Sequence, residues 1–268
     1  MRKIKIIISI LVIGICLVLS SCASLFLSVE NIPGSLEEFT ITSEYTNSTY
    51  HLYVYLPAEY TQTGGSYPVL YKLDGDSNKG SLREAAYVQN LQHKDVIAPF
   101  IIAAIGYEEK NQRKRDYAEK PDKFASFIVS ELIPEMDSRY NTIADKSGRT
   151  IAGGSLGGIA VIHMLFNQNQ YFSNYISLSP SLLWDDTVYF SYEKAYAEKN
   201  ADLNANLYTS VGREEGIGTN VSHKTLCTIL TERGYPSFTM YREAFDGKGH
   251  MAAINCGFEK GVLYVYKK

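Results

Sequence analysis

Four glycines crowd one serine in the stretch Ile-Ala-Gly-Gly-Ser-Leu-Gly-Gly-Ile-Ala, where Gly153, Gly154, Gly157 and Gly158 flank Ser155. A glycine costs about 0.5–1 kcal/mol in a strand or helix interior, so this density implies a turn where backbone must pass close to backbone. The residues before it, Arg149-Thr150-Ile151-Ala152-Gly153, read as a strand. Those after it, Leu156 to Phe166, read as an apolar helix. A strand that turns directly into a helix over G-x-S-x-G forms a nucleophile elbow, in which a strained serine is pushed out where a substrate can reach it. A glycine-rich turn without chemistry has the same ten residues, so the rest of the chain must decide.

Runs rich in β-branched and aromatic residues predict strands at 37–45, 50–56, 67–73, 99–106, 149–153, 174–178, 206–211 and 237–242. Helical patterns fall near 82–94, 121–140, 156–168, 188–199, 219–233 and 250–266. In the second of these, Phe124, Phe127, Ile128, Leu132, Ile133, Met136 and Tyr140 form a core-facing stripe interrupted by Pro134. Two opening strands followed by strand–helix alternation predict an α/β fold with a mostly parallel sheet of about eight strands, helices on both faces and an antiparallel start. Sites in such sheets form beyond the carboxyl ends of the strands, where Ser155 lies.

The chain opens with Arg2, Lys3 and Lys5, then an apolar run from Ile6 to Leu19 that is shorter than a membrane-spanning helix of about 20 residues. The following Leu19-Ser20-Ser21-Cys22 resembles a bacterial lipobox, which predicts a lipoprotein signal peptide over 1–21, lipidation at Cys22, a tether over 22–36 and a catalytic domain over 37–268. The protein is then expected to be exported and membrane-anchored, on the cell surface or the periplasmic face. Losing the signal removes three cations and no acid, moving the net charge from −3 to −6 and arguing against a nucleic-acid partner. The remaining length suits one large domain, expected to be a monomer. Cys227 and Cys256 then remain in a disulfide-permissive compartment, either bridged or as two buried thiols.

A serine hydroxyl needs a base, and the base needs a third group to hold its tautomer. His163 falls inside the helix that leaves the elbow, so it points away, and His223 falls in another helix. His250 lies in Phe-Asp-Gly-Lys-Gly-His-Met, after the last strand, with Gly247 and Gly249 free to turn the ring inward. The acid belongs after the strand at 206–211, where Gly-Arg-Glu-Glu-Gly offers Glu215, with Glu214 as the alternative and Asp246 behind both. Backbone amides must hold the oxyanion. Leu156 N–H follows the nucleophile, and Asp76 N–H follows Gly75 in the loop after 67–73. The Asp-Gly-Asp of that loop reads as a turn, since no further carboxylates cluster at metal-ligand spacing, and no metal or cofactor is expected.

The segments YPVLYKLDGD, AIGYEEKNQRKRDYAE, FASFIVSELIPEMDSRY, RTIAGGSLGG, SPSLLW, VGREEG and GKGHM occur in the order and style of the esterase D group of α/β hydrolases. They are most similar to its ferric enterobactin, or trilactone siderophore, esterase branch. The resemblance covers residue 37 to the C-terminus and implies a serine esterase with Ser155 as nucleophile, His250 as base and Glu215 as acid. The same group includes feruloyl and acetyl-xylan esterases, formylglutathione hydrolases and mycolyltransferases, so it marks the substrate less sharply than the chemistry. Ser179-Pro180-Ser181-Leu182-Leu183-Trp184 departs from the SPSLWW of many relatives, leaving Trp184 as the aromatic residue of an altered pocket wall. Arg113 and Arg115, with Lys114 between them, follow the strand ending at Gly106 and form either a cationic rim suited to an anionic substrate or a solvated loop that Glu109 and Asp116 neutralise. The substrate is expected to be a small ester, of a siderophore or of a feruloylated or acetylated carbohydrate. The reading from another class is a surface lipoprotein that binds a ligand without catalysis.

Overall fold

The computed structural model describes residues 33–61, 64–75, 80–109, 111–184 and 188–268, with backbone only at 80, 81 and 188. The expected signal peptide and Cys22 lie outside the described residues, as does Asp76. Strands β1 (Ser35–Ser43) and β2 (Ser48–Leu56) form an antiparallel hairpin, β3 (Val69–Lys72) leads to helix α1 (Gly80–His93), and β4 (Ile101–Tyr107) follows. A helical run then comprises α2 (Gln112–Lys114), a π-turn at Arg115–Glu119, α3 (Pro121–Phe127), a second π-turn at Ile128–Leu132 and α4 (Ile133–Arg139). Strand β5 (Arg149–Gly154) enters α5 (Leu156–Asn167); β6 (Asn174–Leu178), α6 (Val188–Ala197), β7 (Ala205–Gly212), α7 (Ile217–Arg233), β8 (Phe238–Phe245) and α8 (His250–Tyr266) complete the chain.

The strands lie in the order β1-β2-β4-β3-β5-β6-β7-β8. β2 pairs antiparallel with β4, and from β4 to β8 every pairing is parallel. This is the mostly parallel sheet with an antiparallel start that the alternation of patterns predicts, and it fits the α/β-hydrolase fold that the resemblance implies. The strand expectations shift by a few residues at the ends, and the expected break at Pro134 becomes the second π-turn. Proline has no N–H for the i→i−4 ladder. A one-residue change of register just before Pro134 lets the helix continue through it.

One face of the sheet carries α1 and α8, where Leu70, Ile102, Ala104, Ile176 and Tyr208 meet Val88, Phe258 and Val262. The other face carries the helical run, α5, α6 and α7, and the larger cluster. Six tyrosines (Tyr50, Tyr71, Tyr117, Tyr175, Tyr189 and Tyr208) are among the largest fully buried side chains of the two faces together. The abundant tyrosine therefore serves packing first. Tyr50, for example, stacks on Phe127 at 4.0 Å and donates its hydroxyl to Asp116 Oδ2 at 2.6 Å. Cys227 and Cys256 are both buried, as two separate thiols rather than a disulfide.

Candidate active site

Ser155 joins β5 to α5 with φ 59° and ψ −118°, a region that costs a non-glycine residue of order 1–3 kcal/mol unless its surroundings enforce it. Three backbone bonds enforce it. Ser155 N–H donates to Leu178 O at 2.9 Å, while its carbonyl accepts from Ser181 N at 3.1 Å and from Ile159 N at 3.3 Å. The neighbouring glycines answer a different need. A Cβ on Gly153 would lie 2.6 Å from Gly157 O, and one on Gly158 would lie 2.9 Å from Pro180 Cα. None of the four has a positive φ. Gly153 and Gly158 let strand, helix and the β6 exit touch, whereas Gly154 faces Ile254 and Gly157 faces the Asp74 carboxylate.

The amide of Leu156 opens α5, where first-turn N–H groups lack intrahelical acceptors and the helix dipole is positive. The loop that faces it starts at Asp74, whose N–H donates to Tyr117 Oη at 3.1 Å. Gly75 N–H reaches Ile105 O at 2.7 Å, and a Cβ there would sit 2.7 Å from Ile105 N, so only glycine lets this loop rest on β4.

His250 is the first residue of α8 and Glu215 lies just beyond β7. The imidazole Nδ1 is 2.6 Å from Glu215 Oε2. An ionised carboxylate only accepts, so Nδ1 carries the proton and Nε2 is the free base. The other oxygen, Oε1, accepts from Ser179 Oγ at 2.7 Å and Gly212 N at 2.6 Å. Asn220 Nδ2 donates to the Glu215 carbonyl at 2.7 Å and pins the turn itself. Glu215 has a side chain only 3% exposed, so its orientation is fixed by these donors, whereas the His250 side chain is 41% exposed to incoming ligand. Glu214 faces solvent, and Asp246 pairs with Arg213.

Ser155 and His250 line one cavity of about 460 Å³ together with Asp74, Arg113, Ile254 and Asn255. The Ser155 hydroxyl is bonded to Ser181 Oγ at 3.2 Å rather than to His250. Ser181 was legible only as part of a motif, with nothing in its sequence context to single it out.

The cationic rim divides. Arg113 enters the cavity but is already occupied: Nε donates to Asp74 Oδ1 at 2.5 Å, and Nη2 donates to Asp74 Oδ2 at 3.0 Å and Gly154 O at 3.2 Å. Burial works to lower the Arg113 pKa, and the Asp74 bond and charge outweigh it and raise it. Arg115 turns to Asp116 and Glu109 and does not line the cavity. Lys114 sits 5.4 Å over the Trp184 ring, which also stays outside the lining. His163 is buried in α5 and bonds Asp122 at 2.8 Å. His223 is buried between Thr209, 3.0 Å away, and Cys227.

Comparison with known proteins adds to this geometry. The model of the "Putative esterase" family matches residues 43–248. The ferri-bacillibactin esterase BesA of Bacillus subtilis is 34% identical over 179 residues, spanning 58% of this chain and 61% of that protein. The siderophore triacetylfusarinine C esterase of Aspergillus fumigatus is 29% identical over 154 residues, spanning 51% of this chain and 52% of that one. The chain thus spans between half and two thirds of these relatives' lengths. Among solved structures, the BES protein of Bacillus cereus superposes with a TM-score of 0.74 at 23% identity, covering 86% of this chain and 94% of that chain, which shows a shared fold.

Proposed function

The chain belongs to the esterase family whose model spans residues 43–248, and on that premise we propose that it hydrolyses a carboxylic ester through Ser155, His250 and Glu215. The observation that carries this reading is the 2.6 Å contact between His250 and Glu215 beside a serine held at positive φ in the same cavity. When an ester binds, the Ser155 hydroxyl leaves Ser181 for His250 Nε2, which takes its proton as Oγ attacks the carbonyl carbon. Hydrogen bonds at catalytic centres commonly tighten only on binding. Glu215 stabilises the imidazolium and keeps it oriented. The oxyanion is held by the amides of Leu156 and Asp76. The tetrahedral intermediate collapses, His250 hands its proton to the departing alcohol, and the acyl group remains on Oγ. Water, deprotonated by His250, then attacks the acyl-enzyme and releases the acid.

The substrate we propose is a siderophore ester. The similarity to proteins named as ferri-bacillibactin and triacetylfusarinine C esterases supports it, and the exported, Cys22-lipidated form proposed for this chain would meet such a substrate at the membrane. The test has two parts. Hydrolysis of p-nitrophenyl acetate should be abolished in Ser155→Ala; turnover no greater than that variant's would leave a binding protein instead. A panel containing a trilactone siderophore and feruloylated and acetylated sugars, read by mass spectrometry, should show cleavage of the siderophore first. Preferential cleavage of the sugar esters would move the protein to the carbohydrate branch. The anchor is tested by the mass of the N-terminal peptide from bacterial membranes, which should carry lipid on Cys22 and disappear from membranes in Cys22→Ala.

A further inference from the structure

The cavity holding Ser155 and His250 contains a second chemical feature that ester cleavage itself does not use. Lys72, the last residue of β3, and Glu84 of α1 both line it. β3 reads Val-Leu-Tyr-Lys and is buried at all four positions. Lys72 lies between Ala104 of β4 and Ala152 of β5, with a side chain only 8% exposed and Nζ 2.7 Å from Glu84 Oε2. Burying two charges costs more than their attraction returns unless further hydrogen bonds complete them. Here completion is partial. Nζ donates to Leu73 O at 3.1 Å. The contact with Glu84 is close but off the alignment of a hydrogen bond, so Glu84 Oε2 can still take a better-placed donor. Lys72 has three N–H groups, and Leu73 O takes one. Met251, Ile254 and Phe258 line the same cavity with apolar surface.

We propose that the Lys72–Glu84 pair is a specificity site, which rests on the esterase reading above: it receives a neutral amide or hydroxyl carried by one arm of the ester. An amide carbonyl accepts from Lys72 while its N–H donates to Glu84. A neutral group is the chemistry that fits, because the two charges already cancel and a charged guest would find no counterion. Arg113, the other cation among the described residues that line the cavity, is committed to Asp74.

The test uses two pairs of esters matched in length. One places the amide on the acyl arm, p-nitrophenyl N-acetyl-β-alaninate against p-nitrophenyl hexanoate; the other places it on the alcohol arm, 2-acetamidoethyl acetate against pentyl acetate. The unmodified protein should prefer the amide ester in at least one pair, chiefly through KM. Lys72→Met combined with Glu84→Met should lose about tenfold or more of that preference while kcat/KM on the apolar ester stays within about twofold. Should that variant fail to fold by circular dichroism, Lys72→Leu combined with Glu84→Leu makes the same comparison with a second apolar pair. No amide preference in either pair, or a preference the variant retains, or an equal loss on both esters, overturns the proposal. Hexanoate turnover that vanishes in Ser155→Ala separates such a failure from failure of the esterase reading, and no turnover of any ester sinks both.

Discussion

Adjacent glutamates at 214 and 215 have the same chemistry and opposite fates. The turn after β7 closes on itself through Gly212 N–H to Glu215 Oε1, which sends Glu215 inward to His250 and leaves Glu214 in solvent. Sequence order places an acid in Gly-Arg-Glu-Glu-Gly, but only the closed turn decides between neighbours. Glu215→Gln should therefore lower kcat by about 10³–10⁴-fold with KM little changed, the loss typical when the group that orients the base is neutralised. Glu214→Gln should stay near the unmodified rate on p-nitrophenyl acetate. Arg113 and Arg115 pose the same problem, since both look like substrate cations in sequence. They fall in a helical run, where positions two apart point about 200° from each other, so one reaches Asp74 and the other Asp116. The Arg113 fork ties the Asp74 loop to the carbonyl beside the nucleophile. Arg113→Lys, which cannot make a bidentate contact, should lower kcat on the neutral p-nitrophenyl acetate more than it raises KM. A pure KM effect would return Arg113 to substrate binding.

Elements differ in how openly they announce themselves. α8 begins and ends where its pattern predicts, at His250 and Tyr266, because Gly249 breaks the chain before an uninterrupted apolar stripe. The helical turns at 112–119 carry charged residues around buried Gln112, Asp116 and Tyr117, so no apolar period marks them. The elbow lies at the legible extreme, and its glycines are separable by what a methyl would strike. At Gly153 the obstacle is the backbone of Gly157, which cannot move without breaking α5. At Gly154 it is the side chain of Ile254 on the separate helix α8, which can shift outward by a few tenths of an ångström without breaking the turn. Gly153→Ala should abolish activity and lower the melting temperature sharply, whereas Gly154→Ala should fold with a modest loss. Equal melting temperatures for the two would mean that the turn does not depend on this close approach.

At the scale of the whole molecule, the strand alternation predicts a parallel sheet but not its order. Placing β3 between β4 and β5 depends on crossovers that no local pattern encodes, and this placement brings Asp74, Ser155 and the β7 turn to one edge. The same sheet buries a titratable group behind that edge. His223 of α7 is held against β7 by Thr209 and touches the Cys227 thiol, with Arg242 and Glu215 as its charged neighbours. Burial, reinforced by Arg242 and opposed by Glu215, lowers its pKa from 6.5 to about 4. The unfolded chain therefore binds more protons than the native one between those values, and stability must rise with pH across that window. The contribution is complete above pH 6.5 and is lost as pH falls toward 4. By linkage it amounts to roughly 2 to 3 kcal/mol at the acid end. Urea unfolding at pH 7.5 and pH 4.5 should show that difference shrinking by about this amount in His223→Gln, which replaces the ring with a group that does not titrate. An undiminished difference would place the acid sensitivity outside His223; Asp122, whose bond to His163 holds its pKa below the usual range, gives up stability only at pH lower than this window.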